Sequence, residues 1–409
     1  MANMGWRWPI AQTQNIAGTA GRLTFVGGGG DFDAEGAIRH PGDFERQIHG
    51  TLSNVGAALA IEGCGLADIV RLKIYYKSDG TRDEWEIIAS LAHAFDKDPL
   101  PAITLHPTPL QPFAGQELQA QAIAIRGWRD DTELQSVAGE VPQRYKPLFG
   151  KRQVTLGLRA GEFIAVPAHT AAGDQTEALA GASGIEQTKI VMSRIEAILK
   201  ALGASYQDCV KKEGYYFGSM LEEWADMAKV RASFFREPGP VATVVPCHAL
   251  WPVGALTKVE VLAMRERWNG FDKYIPRDDR WPRRVWDWPI PLPYRQGIRL
   301  RDTIWLGGQV PFATNSNTGK VVLPGSQLQQ TQFTMSYLDD LLRAFGKTTS
   351  DLRLVVAYFT SNGGEEATLS FIRTVAACIP GPLPPMTVVP QPHMHTKDMT
   401  VEIWGVAEG

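Results

Sequence analysis

The sequence predicts an α+β chain built of three similar units in tandem. Two observations carry this: a helix-turn-strand signature occurs three times, and a Thr-x-x-Pro element follows each copy at a nearly constant interval. The chain has 409 residues, too many for one ordinary core and enough for three units of roughly 130 residues each.

The three copies of the signature are "GCGLADIVRLKIYY" (63–76), "GASYQDCVKKEGYY" (203–216) and "GKTTSDLRLVVAYF" (346–359). Each keeps an Asp five residues after its Gly (Asp68, Asp208, Asp351) and a Tyr seven residues after that Asp (Tyr75, Tyr215, Tyr358). Upstream, apolar residues recur at steps of three and four: Leu52, Val55 and Leu59, then Met192, Ile195 and Leu199, then Met335, Leu338 and Leu342. That spacing draws one stripe on a helix, which the Gly then ends, and the residues after Asp turn β-rich. Thr104, Thr243 and Thr387 follow their glycines by 41, 40 and 41 residues, each opening a Thr-x-x-Pro. The first two copies share an acidic-Trp pair, Glu84-Trp85 and Glu223-Trp224, and "LTFVGGGG", "FIAVPAH" and "TIWLGGQVP" supply an opening strand for each unit. The units therefore run over 1–130, 146–268 and 289–409, joined by linkers at 131–145 and 269–288.

Composition narrows the partners. A formal charge of -3, with 21% charged and 44% apolar residues, gives no sign of a nucleic-acid partner. The aromatic, basic stretch made of Trp268 and the second linker (Trp281, Trp286, Trp288) is interrupted by Asp272, Asp278, Asp279 and Asp287 and reads as packed structure. With no apolar stretch long enough for a signal peptide or a membrane span, a cytoplasmic protein without membrane contact is expected. Cys64, Cys209, Cys247 and Cys378 lie far apart with no zinc spacing, so reduced thiols and no metal or cofactor are expected.

A unit that opens with "LPYRQGIRLRDTIWLGGQVPF", runs through a helix into Gly-x4-Asp and a strand, and closes with "PLPPMTVVP" and "VEIWGVA" resembles the Rid (YjgF) family of enamine/imine deaminases. The other two units resemble it as well. The resemblance implies three tandem Rid/chorismate-mutase-like domains that form an intrachain pseudo-trimer, either a monomer with internal pseudo-threefold symmetry or a dimer of such rings, with clefts at the junctions. It also implies an Arg before each Thr to grip a carboxylate, and there the chain departs, with Ile103, Ala242 and Met386. The family Glu, 17 residues after the Thr, corresponds to Gln121, Glu260 and Trp404, so only unit two keeps it, although Glu402 lies two residues earlier on the same face of its strand. The family's opening-strand Tyr and Gly-Gln pair survive only in unit three, as Tyr294 and Gly308-Gln309.

These residues set the expectations for chemistry. The leading reading is a hydrolase or deaminase of an imine, enamine or related C–N bond, with Glu260 as general acid/base in a cleft of units two and three shared with His248, Tyr294 and Gln309. Without the Arg a ring-derived or less acidic substrate is expected. Two other readings stand beside it: a non-catalytic ligand-binding or regulatory protein, and a hydrolase or lyase of a cyclic acid on the same trimeric core. Set against the catalytic role, Glu260 also reads as an ordinary strand carboxylate. The Thr-x-x-Pro loops bring His106, His248, His393 and His395 near the place of the missing Arg, where imidazole can work near neutral pH, though any one of them reads equally as packing. Cys247 beside His248 forms a dyad only if the segment bends. The run Gly27–Gly30 lacks a following Lys-Ser/Thr and reads as close backbone approach to a cleft, not a phosphate loop.

Overall fold

The computed structural model describes residues 6, 8–130, 134–173, 181–218, 221–265, 274–276, 292–312 and 325–409, of which 221–223 are described for the backbone only. The first unit contains β1 (Ala17–Ala20), β2 (Leu23–Gly29), α1 (Phe44–Ile61), β3 (Ile69–Lys77), α2 (Glu84–Ala92), β4 (Ala102–Thr108) and β5 (Leu118–Ala124). The second follows with β6 (Gln135–Gly139), a short α3 (Lys146–Phe149), β7 (Val154–Ala160), β8 (Phe163–His169), α4 (Gly184–Ala201), β9 (Cys209–Phe217), α5 (Leu221–Ala232), β10 (Val241–Cys247) and β11 (Thr257–Met264). The third closes the chain with β12 (Gly297–Leu300), β13 (Thr303–Leu306), α6 (Gln327–Ala344), β14 (Leu352–Thr360), α7 (Glu365–Ala377), β15 (Met386–Gln391) and β16 (Val401–Glu408).

Three mixed sheets result, ordered β1-β2-β5-β3-β4, β10-β9-β11-β8-β7-β6 and β12-β13-β16-β14-β15. In each, the strand after the repeated Asp pairs in parallel with the Thr-x-x-Pro strand, and the α2, α5 or α7 helix makes the crossover between them. The three stripe helices α1, α4 and α6 all have 18 residues, and every stripe residue is buried. Asp43, Ser183 and Ser326 cap their N-termini by accepting backbone N–H bonds. Gly63, Gly203 and Gly346 just past their C-termini have φ of 70°, 70° and 79°, a conformation that only glycine adopts without strain. Asp68, Asp208 and Asp351 each accept a 2.8 Å hydrogen bond from the backbone N–H three residues earlier, closing the turn between helix and strand. The repeated Gly-x4-Asp is thus turn chemistry.

The sheets contact one another in cyclic order: β4 lies against β7 and β8, β10 against β13, and β15 against β2. The repeated Thr serves these contacts. Thr104 Oγ1 accepts from the Ala168 N–H at 2.9 Å and Thr387 Oγ1 from the Gly28 N–H at 3.1 Å, while the Gly308 N–H reaches Ala242 O beside Thr243 at 2.9 Å. The repeated tyrosines meet in the middle, with Tyr75 and Tyr358 hydroxyls 3.0 Å apart and Tyr215 bonded to Tyr358. Apolar packing crosses the units too: one cluster joins Val55 of unit one to Met335 and Val388 of unit three, and a second draws on all three.

Two expectations change. Residues 135–139, assigned to a linker, form β6 and pair with β7 at a sheet edge; mostly exposed and held by backbone bonds, they carry no apolar alternation to reveal them. The Gly27-Gly28 backbone does approach something closely, but it is β15 of unit three: an added Cβ would come within 2.8 and 2.4 Å of the Met386 main chain. Trp268 and most of the second linker, with Trp281, Trp286 and Trp288, lie outside the described residues. No described helix is long and apolar enough to cross a membrane.

Candidate active site

The central strands β3 and β9 carry charge where a strand buried on both faces ordinarily carries none. Arg71 and Lys73 of β3 meet Glu213 of β9 and Glu260 of β11, all fully buried. The Lys73 ammonium stands 2.9 Å from Glu260 and 3.0 Å from Glu213, Arg71 bonds Glu260 and Gln121, and the Tyr215 hydroxyl donates to Glu213 at 3.3 Å. Burial pushes the Glu260 carboxyl upward, but the Arg71 and Lys73 charges outweigh it and hold the group well below the usual carboxylate range. Lys211 of β9 adds a third cation, donating to Thr243 Oγ1 at 2.7 Å and lying 3.9 Å from the centre of the Trp404 ring. Burial brings it down to about 7, against the pull of Glu213 and Glu402.

Glu260 therefore faces unit one. Glu260, expected as a general acid/base in a cleft with Tyr294, sits in an ion-pair network, because its side chain projects from β11 onto the first unit's charged strand. His106 is buried in the same interior, stacked on Tyr215 at 4.1 Å, and burial keeps its imidazole far below its ordinary range. Cys247 approaches His106 Nε2 at 3.9 Å, not His248. Burial raises the Cys247 thiol, so this contact joins two neutral groups. His248 is exposed, near Asp79 of unit one, and His393 is half-buried in the loop after β15. Gln309 is buried against Gln296 at 2.9 Å, its backbone bridging to Ile403.

The junctions differ in their polar groups. Between units one and two a cavity of about 90 Å³ is walled by Trp85, Ile103, Thr155, His169 and Trp251, with Glu84 and Lys258 at its polar end. Lys258 Nζ donates to both Glu84 oxygens and to Leu105 O, each at 2.7 Å, and the Tyr76 hydroxyl donates to Glu84 at 3.0 Å. Burial lowers His169 to about 4, leaving a neutral ring against Leu156 O. Between units three and one the chain is closed by the Gly27-Gly28 approach and by Trp8.

Between units two and three the corresponding places hold other residues. Glu402 of β16 stands where Lys258 stands in β11, 15 residues after the repeated Thr, and Tyr216 and Trp224 stand where Tyr76 and Trp85 do. His395 lies between them: its Nε2 is 3.4 Å from a Glu402 oxygen, its Nδ1 is 3.0 Å from the Tyr216 hydroxyl, and Trp224 packs on its ring at 6.2 Å. Gly308 leaves room for the carboxylate, since a Cβ there would fall 2.1 Å from Glu402 Oε1 and push that side chain aside. Tyr294 packs on Phe235, and the Lys212 ammonium sits 4.8 Å over its ring. This junction collects a carboxylate, an imidazole, phenols and cations in one place, which is what proton transfer on a bound small molecule requires.

The profile of the family described as Endoribonuclease L-PSP matches residues 152–265, the body of the second unit. A RutC family protein of Pyrococcus abyssi is 32% identical over 109 residues, which are 27% of this chain and 84% of that protein. The chain belongs to the RutC (YjgF/Rid) family. A second RutC family protein, from Pyrococcus horikoshii, is 28% identical over 109 residues, again 27% of this chain and 84% of that protein. Among solved structures, a chorismatase superposes with a TM-score of 0.56 at 13% identity, covering 83% of this chain and 93% of the other, a likeness of fold.

The sequence points to Tyr294 and Gly308 as site residues, brings in Glu402 only as a neighbour of the family Glu's place and His395 only as one of the loop histidines, and gives Tyr216, Lys212 and Arg231 no role. One signal was available. "CVKKEGYYF" puts two lysines and a glutamate in a strand whose third-unit counterpart is "LRLVVAYF", and buried charge in a central strand marks either an ion-pair network or a site. Among the described residues no group of three or more His, Cys, Asp and Glu is placed to hold a metal ion.

Proposed function

We propose that the chain builds by itself the ring its relatives' fold suggests, a pseudo-trimer, and works at the junction of units two and three as a small-molecule hydrolase. The cyclic contacts of the sheets and the meeting of the three tyrosines support the ring. The observation that carries the activity is the placing of His395 between the buried Glu402 carboxylate and the Tyr216 hydroxyl beside Gly308, because it sets an imidazole within reach of a buried proton acceptor. Proton work is assigned to Glu402 and not to Glu260, whose charge is already matched by Arg71 and Lys73. For an imine, water adds to the polarised carbon while Glu402 or His395 takes its proton. The same pair then protonates the nitrogen, and collapse releases ammonia and a carbonyl product. The test follows ammonia release from an imine generated in situ. Glu402→Gln is expected to lose on the order of 10²-fold in rate with folding unchanged. Absence of turnover in the wild type on any imine would favour the non-catalytic reading.

A second reading, a hydrolase or lyase of a cyclic acid, draws on the fold likeness to the chorismatase, which extends over 83% of the chain. The same two residues would then protonate a leaving oxygen. Turnover of a cyclic enol ether acid in place of an imine would decide for it.

A further inference from the structure

Lys212 of β9 and Arg231 near the end of α5 are both fully buried, yet neither has a hydrogen-bond or ion-pair partner among the described residues: Lys212 Nζ and all three guanidinium nitrogens of Arg231 are unmatched. A buried cation without an anion is costly, and two side by side are more so, since each charge also opposes the other. Burial and this mutual repulsion push Lys212 well below its ordinary range, and burial lowers Arg231. Elsewhere the interior cations Arg71, Lys73 and Lys258 all have carboxylate partners. The pair is aimed at the junction: Lys212 sits over the Tyr294 ring of unit three, and the Arg231 charge acts on the Tyr294 and Tyr216 hydroxyls.

The strand register adds a second argument. Lys212 is the direct parallel neighbour of Ala242, so their side chains share a face of the sheet. Ala242 is the place before the repeated Thr where the family resemblance calls for an Arg. The missing cation is restored one strand away.

We propose that Lys212 and Arg231 form a clamp for a carboxylate, so that the substrate is a small organic acid whose acid group enters between β9 and α5 and whose reacting carbon faces Glu402 and His395. This rests on the assignment of the working site to the junction of units two and three. It reverses the expectation, drawn from the missing Arg, of a less acidic substrate. A guanidinium presents a planar fork that matches a carboxylate, an ammonium adds a third donor, and the Tyr294 and Trp224 rings give the remainder of the molecule an apolar wall.

The test is equilibrium binding of benzoate and 2-oxobutyrate, with benzamide and inorganic phosphate as controls, read by tryptophan fluorescence and by the thermal midpoint. The wild type should be stabilised by one or both carboxylates and by neither control. Arg231→Met and Lys212→Met should melt higher than the wild type without ligand and bind the carboxylate at least tenfold more weakly. Arg231→Lys should fold and bind with intermediate strength, which keeps the test decisive if the Met variants do not fold. Glu402→Gln should still bind, separating the clamp from the chemistry. Carboxylate binding lost in Arg231→Met, with no turnover in any protein, would sink the enzyme reading and leave the clamp standing. Turnover lost in Glu402→Gln, with carboxylate binding untouched by Arg231→Met, would do the reverse. Stabilisation by phosphate alone, or a response to benzamide equal to that of benzoate, would overturn the clamp.

Discussion

The junction of units one and two and the junction of units two and three occupy equivalent places and handle charge in opposite ways. At the first, Lys258 is saturated by Glu84 and a backbone carbonyl, and Tyr76 completes the carboxylate's shell. At the second, Glu402 Oε2 lies 3.4 Å from His395 Nε2 with no hydrogen-bond partner among the described residues, and Lys212 and Arg231 likewise have none. A satisfied ion pair holds two units together and leaves its own charges already matched. An unsatisfied set of buried polar groups is stable only when something else completes it. The difference teaches that repeated units can share a fold and still treat buried charge differently, and on the proposed assignment the balance of hydrogen bonds separates a structural junction from a working one.

The largest effect should come from breaking the satisfied side. Glu84→Ala leaves Lys258 buried without its anion and should cost about 3–5 kcal/mol in denaturant unfolding. A loss under about 1 kcal/mol would mean that the first junction is not held by this pair. Turnover of the folded fraction should be unchanged, which distinguishes a structural junction from a second working one.

A smaller effect concerns Lys211, which burial brings down to about 7 from its ordinary 10.5. Its unfolded form binds a proton throughout the window from about 7 to 10.5 while its folded form does not, so stability should rise with pH across that window and level off below it. Lys211→Met should flatten that part of the stability profile. An unchanged slope would place the titration elsewhere. The smallest expected change is at Cys247, whose contact with His106 joins neutral groups. Cys247→Ala should leave the rate within a factor of a few, and a large loss would reinstate it as a nucleophile.

Much of the fold was legible because the repeat is written in residues with strict local demands. Gly63, Gly203 and Gly346 need a left-handed conformation, Asp68, Asp208 and Asp351 close a turn, and the stripes of α1, α4 and α6 bury one face. The site was legible only in part. Tyr294 and Gly308 stand out through the family pattern and Glu402 only as a neighbour of the family Glu's place at Trp404, but the fate of Glu260 depended on Arg71 and Lys73, nearly two hundred residues upstream on another sheet. Arg231 in "MAKVRAS" reads locally as a favourable cation at a helix C-terminus, and nothing local says that it turns inward. Alternation tells which face of a strand a side chain takes, not what will be waiting there.

The most direct measurement compares two glutamates on equivalent strands, Glu402 of β16 and Glu260 of β11, by turnover and unfolding of Glu402→Gln and Glu260→Gln side by side. The account predicts that Glu402→Gln loses on the order of 10²-fold in rate with its stability intact, and that Glu260→Gln loses stability while its folded fraction turns over within a few-fold of the wild type. The reverse pattern, a stable but inactive Glu260→Gln beside an active Glu402→Gln, would contradict it and return the chemistry to the interior network.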